Sequence, residues 1–182
     1  MDYLGDNITV EKENWHYVEI SKIDDKIIKK LVNNLKLNLS EEFFLSFDSL
    51  LKLGKKAEPE LTAAINEMDE QHKFKKEIFN VLIKYIKTNK TKNPLIIQLY
   101  HPDFIIRAKA ITQIGHNMDL RYLPYLLPLL EDPDDSVRNA VINLFINKYI
   151  KNPTVHKKLR KHVGKESNPI IRKNLAKVFE EL

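Results

Sequence analysis

At 182 residues, with 43% apolar and 30% charged side chains, the chain has the profile of a folded domain large enough to bury a core, not of a disordered one. It contains no cysteine, which excludes disulfides, thiolate metal sites and a cysteine nucleophile, and only 4 glycines, fewer than the turns of an all-β chain demand. The net charge of +5 is unevenly spread: residues 148–182 hold 10 Lys/Arg against 3 Asp/Glu, and residues 1–147 hold 20 against 22, so a cationic end sits on a near-neutral body.

In chain order, residues 1–23 come first. MDYLGDNITV lacks a basic region followed by an apolar run, so no signal peptide is expected. Ile8/Val10 and Trp15/Tyr17 alternate weakly. The segment reads as an extension or cap, with Trp15 packed on the first helix pair. Helices then succeed one another. Residues 24–37 place Ile27, Ile28, Leu31 and Leu35 on one face, and 57–69 do the same with Leu61, Ala64, Ile65 and Met68. A short helix is expected over 94–100. Residues 119–131 offer Leu120, Leu123, Leu127 and Leu130, flanked by Tyr122 and Tyr125, and 153–165 offer Val155, Leu159 and Val163. Ser40, Asp119 and Asp134 are start signals, and Pro59, Pro94, Pro153 and Pro169 suit first turns. Gly54, Gly115 and Gly164 are stop signals. The longest apolar-looking stretch, 122–130, is too short to span a bilayer, so no membrane partner is expected.

Between these helices lie others that repeat a template. HPDFIIRAKAITQIG from His101, DPDDSVRNAVINLFI from Asp132 and ESNPIIRKNLAKVFE from Glu166 align on Arg107, Arg138 and Arg172. Around each anchor, positions −1, +3, +4 and +7 are almost all apolar: Ile106, Ala110, Ile111, Ile114; Val137, Val141, Ile142, Phe145; Ile171, Leu175, Ala176, Phe179. Lys75 as anchor gives Phe74, Ile78, Phe79 and Leu82, and Ser46 gives Leu45, Ser49, Leu50 and Leu53. The anchors step by 29, 32, 31 and 34 residues. The repeat predicts five antiparallel helix pairs over 24–54, 57–88, 94–116, 119–149 and 153–182.

Tyr122-Leu-Pro-Tyr-Leu-Leu-Pro-Leu-Leu-Glu-Asp-Pro-Asp-Asp-Ser-Val-Arg-Asn-Ala-Val resembles the HEAT repeat pattern. There a Leu/Pro-rich first helix leads through Asp-Pro-Asp to Val-Arg on the second. The 101–116 segment is similar, and so is Leu53-Gly54-Lys-Lys-Ala-Glu-Pro-Glu-Leu. The resemblance implies an all-α solenoid, a right-handed stack of helix pairs. Ser46 and Lys75 replace the pattern's Arg, and His101 and Glu166 replace its turn Asp. These departures confine an expected Asp–Arg ladder to Asp132 and Arg138. Some proteins of this architecture are enzymes, but the His-Glu dipeptides of its di-iron hydroxylases are absent. The one Trp lies outside the repeats, where the aromatic-lined groove of its DNA glycosylases would not use it. Glycosylase-type chemistry is the least favoured expectation.

No catalytic, metal or cofactor site is expected. His16, His72, His101, His116, His156 and His162 never stand three or four apart, so they read as solvated or turn residues. What remains is surface. In HEAT-like stacks the second helices line the concave side. Positions opposite the buried face then give a strip of Lys76, Asn80, Lys84, Lys109, Thr112, His116, Asn139, Asn143, Asn147, Lys173, Asn174 and Lys177. The helix 153–165 adds a basic patch of Lys157, Lys158, Arg160, Lys161 and Lys165 without interleaved aromatics. These features point to a cytoplasmic protein-binding scaffold or adaptor whose partner has an acidic surface. A nucleic-acid binder without sequence preference is the alternative.

Overall fold

A computed structural model describes residues 23–69, 73–88, 94–117 and 119–180. The expected extension over 1–23, with Trp15, lies outside the described residues except for Ile23, and so does His72; the Phe74 side chain is likewise outside what is described. All regular elements among the described residues are helical. They are α1 (Asp25–Asn34), α2 (Glu41–Leu53), α3 (Glu58–Glu67), α4 (Lys73–Thr88), α5 (Pro94–Gln98), α6 (Phe104–Asn117), α7 (Leu123–Leu126), α8 (Asp135–Leu144), α9 (Pro153–Val163) and α10 (Pro169–Glu180). Turns of 3-10 helix flank α7 at Leu120–Tyr122 and Leu127–Glu131, and α8 runs on into a π turn at Phe145–Tyr149.

Local chemistry sets the helix starts. Ser40 Oγ accepts the Phe43 N–H at 3.2 Å, with Glu41 and Glu42 in the first turn of α2. Asp134 accepts the N–H groups of Ser136 and Val137 at 2.9 and 3.3 Å. Asn152 and Asn168 cap α9 and α10 in the same way. Each cap satisfies donors that the helix itself cannot. Of the three expected stop glycines only Gly54 is left-handed, with φ 57°. Gly164 closes α9 in an ordinary right-handed conformation. Gly115 lies inside α6, where a Cβ would stand 2.9 Å from Leu144 Cδ1. It allows α6 and α8 to approach closely; it does not end a helix.

Consecutive helices pair, and α2 lies against α4 as α6 lies against α8. The apolar faces meet in one core running from Ile28 to Leu175. Burial corrects the register of the first repeat. Phe43, Ser46, Phe47 and Leu50 are buried, while Leu45 is 49% exposed and Ser49 half-buried. The residue equivalent to Arg107 is therefore Phe43, three positions before Ser46, and the step to Lys75 becomes the same as the step from Lys75 to Arg107. Ile27, expected inside, is half exposed, and Val32 takes its place.

Another correction falls on 119–131. Tyr122, Leu126, Leu129 and Leu130 are buried and Leu120 is exposed, so the inward face is rotated from the expected leucine stripe. The cause is the 3-10 winding around Pro124 and Pro128. Neither proline has an N–H to give an α-helical ladder, and three residues per turn shift which side chains point inward. Across the middle of the stack, Phe43 and Phe47 pack on the Tyr100 ring with centroids 6.1 and 5.6 Å apart. The Arg107 guanidinium lies 3.9 Å over the Phe44 ring. The first pair thus reaches the third at the edge that carries the turns within pairs.

Candidate functional site

The buried charges form a ladder along that turn edge. Arg107 donates two hydrogen bonds to Asp132, at 2.9 and 2.7 Å, and two more to the carbonyls of His101 and Pro102. Arg138 repeats the arrangement one pair further on. It holds the Asp132 and Pro133 carbonyls and the Glu166 carboxylate, the last at 2.8 Å. The ladder thus extends past the expected limit of Asp132 and Arg138: Arg107 is the partner of Asp132, and Glu166, although one carbon longer than Asp, serves as the turn carboxylate for Arg138. Its second oxygen meets His162 Nε2 at 2.9 Å, so His162 is buried, not solvated as expected.

Burial alone raises the Glu166 carboxyl. Hydrogen bonds from Arg138, the Asn168 N–H and His162 outweigh it and bring the group down to about 2. At Asp132 burial prevails over the same kind of bonds from Arg107 and the Asp134 N–H, and the carboxyl stands above its usual range. Toward the N-terminus other groups hold the turns. Asn34 donates to Ser46 Oγ at 2.9 Å, and the Lys75 ammonium donates to the Lys36 carbonyl.

Of the strip on the second helices, Asn80, Lys84, Lys109, Thr112, His116, Asn139, Asn143, Asn147, Lys173, Asn174 and Lys177 are exposed, and Lys76 is half-buried. They stand on α4, α6, α8, the π turn and α10. Asn143 donates to Asn139 at 3.2 Å and Thr112 to the Ala108 carbonyl at 3.1 Å. Carboxamides, hydroxyls and ammoniums make this a surface for hydrogen bonds and anions. It contains neither a carboxylate nor a phenyl or indole ring.

On the side formed by first helices lies a groove of about 610 Å³ between α9 and the α7 segment, with Glu77 of α4 at its far end. Its floor is Pro124, Tyr125, Leu127, Pro128 and Leu130. Lys158, Lys161 and Lys165 of the basic patch form one wall. The other two patch residues, Lys157 and Arg160, are exposed outside it, and Arg160 leans on the Phe179 ring. Sequence reasoning foresaw the lysines but not the floor. The usable signal was the pair Pro124 and Pro128, which share one helical face and mark where the winding tightens. Among the described residues, no three His, Asp or Glu side chains gather in a way that could hold a metal ion, and no helix is long and apolar enough to cross a membrane.

A family model for HEAT repeats matches residues 92–180, the segment that holds both rungs of the ladder. Residues 92–180 are HEAT repeats. The all-α stack agrees with that assignment, and the helix pairs before residue 92 continue its geometry. HEAT repeats generally serve as protein-interaction scaffolds and are typically non-catalytic. Comparison with curated proteins and with solved structures returns no match.

Proposed function

We propose that this HEAT-repeat chain is a non-catalytic cytoplasmic scaffold that binds protein partners through the exposed face of its second helices. One observation carries the reading. The buried ionisable groups of the ladder, Arg107, Asp132, Arg138, His162 and Glu166, are engaged with one another and with turn carbonyls, whereas the Lys and Asn side chains of the strip face outward. The strip is suited to a partner with an acidic, hydrogen-bonding surface.

Affinity capture from native extract tests this, using the wild-type chain beside a Lys109→Glu, Lys173→Glu, Lys177→Glu variant. A protein held by the first and lost from the second is the expected result. Equal capture by both, or none by either, overturns the strip as the binding face. The density of exposed charge at Lys157, Lys158, Arg160, Lys161 and Lys165 supports a second reading, a nucleic-acid binder without sequence preference. It requires affinity for duplex or single strands that falls steeply between two salt concentrations, and absence of binding at low salt removes it.

A further inference from the structure

We infer that the groove between α9 and the α7 segment is a second docking site, and that its occupant is an acidic peptide segment carrying an apolar anchor residue. For the class of partner this rests on the scaffold reading, but none of its lining residues belongs to the strip, so the two stand or fall separately.

The floor and the wall demand different things of an occupant. Pro124 of α7 is exposed, and Leu127 and Pro128 in the 3-10 turn that follows are half-buried. Neither a phosphate nor a hydrated ion is satisfied over such a floor, whereas an apolar side chain is. The volume of about 610 Å³ accommodates a few side chains, within the range of roughly 300–1,000 Å³ of ordinary ligand clefts. Above the floor, Lys158 and Lys161 are exposed, and among the described residues neither lies within 4.0 Å of a carboxylate. Lys165, by contrast, already pairs with Glu131 at 3.0 Å. Two uncompensated ammoniums beside an apolar trough call for carboxylates next to an anchor.

The same geometry disfavours nucleic acid. Tyr125 and the buried His162 are the only aromatic rings in the lining. Glu77 and Glu131 would also face the phosphates. Base stacking lacks the exposed rings it needs here, and the two carboxylates and the apolar floor oppose a phosphate backbone although the lysines alone would attract one.

The test uses the intact chain and a peptide array in which Asp/Glu-rich sequences carry a Leu, Phe or Trp at varied spacing. Control sets keep the acids without the anchor, or the anchor without the acids. Members with both features are expected to bind best. Binding should weaken about tenfold or more in Lys158→Glu, Lys161→Glu, since each exposed pair contributes only modestly. It should also weaken in Pro124→Glu and persist in Lys173→Glu, Lys177→Glu. All these positions are exposed, and circular dichroism of the variants should match the wild type. The inference is overturned by no binding to any member, by equal binding of acidic peptides lacking the anchor, or by indifference to both groove variants. Displacement of the best peptide by oligonucleotides of equal charge would assign the wall to nucleic acid instead.

Discussion

The ladder residues behave as a connected unit, so their removal has unequal consequences. Arg107→Met leaves Asp132 buried without its bidentate partner, and a loss of about 3–5 kcal/mol in urea unfolding is expected. Adding Asp132→Leu should restore part of that, because the uncompensated carboxylate is gone. It should not restore all, because the His101 and Pro102 carbonyls still lack their donor. Glu166 gives a pH signature. Its folded-state value of about 2 lies below the ordinary 4.5, so its contribution is full above pH 4.5 and disappears as pH falls toward 2. The difference corresponds to about 3 kcal/mol. Asp132, raised in the folded state, works in the opposite sense and offsets some of the acid loss. Thermal midpoints of wild type and Glu166→Gln should therefore differ most near neutrality and converge toward pH 2. Tyr149 offers the reverse case. Its ring is buried in the π turn and its hydroxyl has no partner among the described residues. Tyr149→Phe should leave stability unchanged or raise it by up to about 1 kcal/mol.

At the scale of the element, Gly54 is the backbone position least tolerant of a side chain. At φ 57° and ψ −132° an alanine is strained although space is open around it, and Gly54→Ala should cost about 1–3 kcal/mol in thermal or urea unfolding. Gly115→Ala meets a different obstacle, the end of the Leu144 side chain, which can move. Helix positions are legible in the sequence because caps and apolar spacing are local: Ser40, Asp134 and Pro153 mark starts that the structure keeps. Rotation about a helix axis is less legible. Ser46 aligns as an anchor only if Gly54 matches Gly115, yet those glycines do different jobs, and the three-residue error puts Leu45 inside. In 119–131 the leucine spacing assumes 3.6 residues per turn, and the prolines impose a tighter period. The groove floor escapes notice for that reason, while its lysine wall is visible as a run of charge. His162 is misplaced because its partner, Glu166, lies past the end of α9 in the turn within the same pair, where helical spacing no longer says which way a side chain points.

Across the whole molecule, the rungs are not evenly distributed. Charged rungs join the third pair to the fourth and the fourth to the fifth. The first two pairs are linked at the same edge by the Lys75 ammonium on the Lys36 carbonyl and by the more exposed Lys36–Glu67 ion pair. The middle is bridged by Phe43, Phe47 and Tyr100. In a stack whose stability is a sum of pair and interface contributions, this divides the chain into a tighter C-terminal part and a looser N-terminal one. Amide hydrogen exchange should be slower in α6 and α8 than in α1 and α3, and Arg138→Met should speed exchange in α9 and α10 before it affects α1.

Because both buried charged rungs sit where the two helices of a pair turn back on each other, the buried tethers lie along one margin, and the other is held by apolar packing and exposed ion pairs such as Lys87–Glu58. Such an assembly bends like the leaves of a fan around its rivet. Its free margin can spread or close over a bulky guest while the riveted margin keeps the order of the leaves.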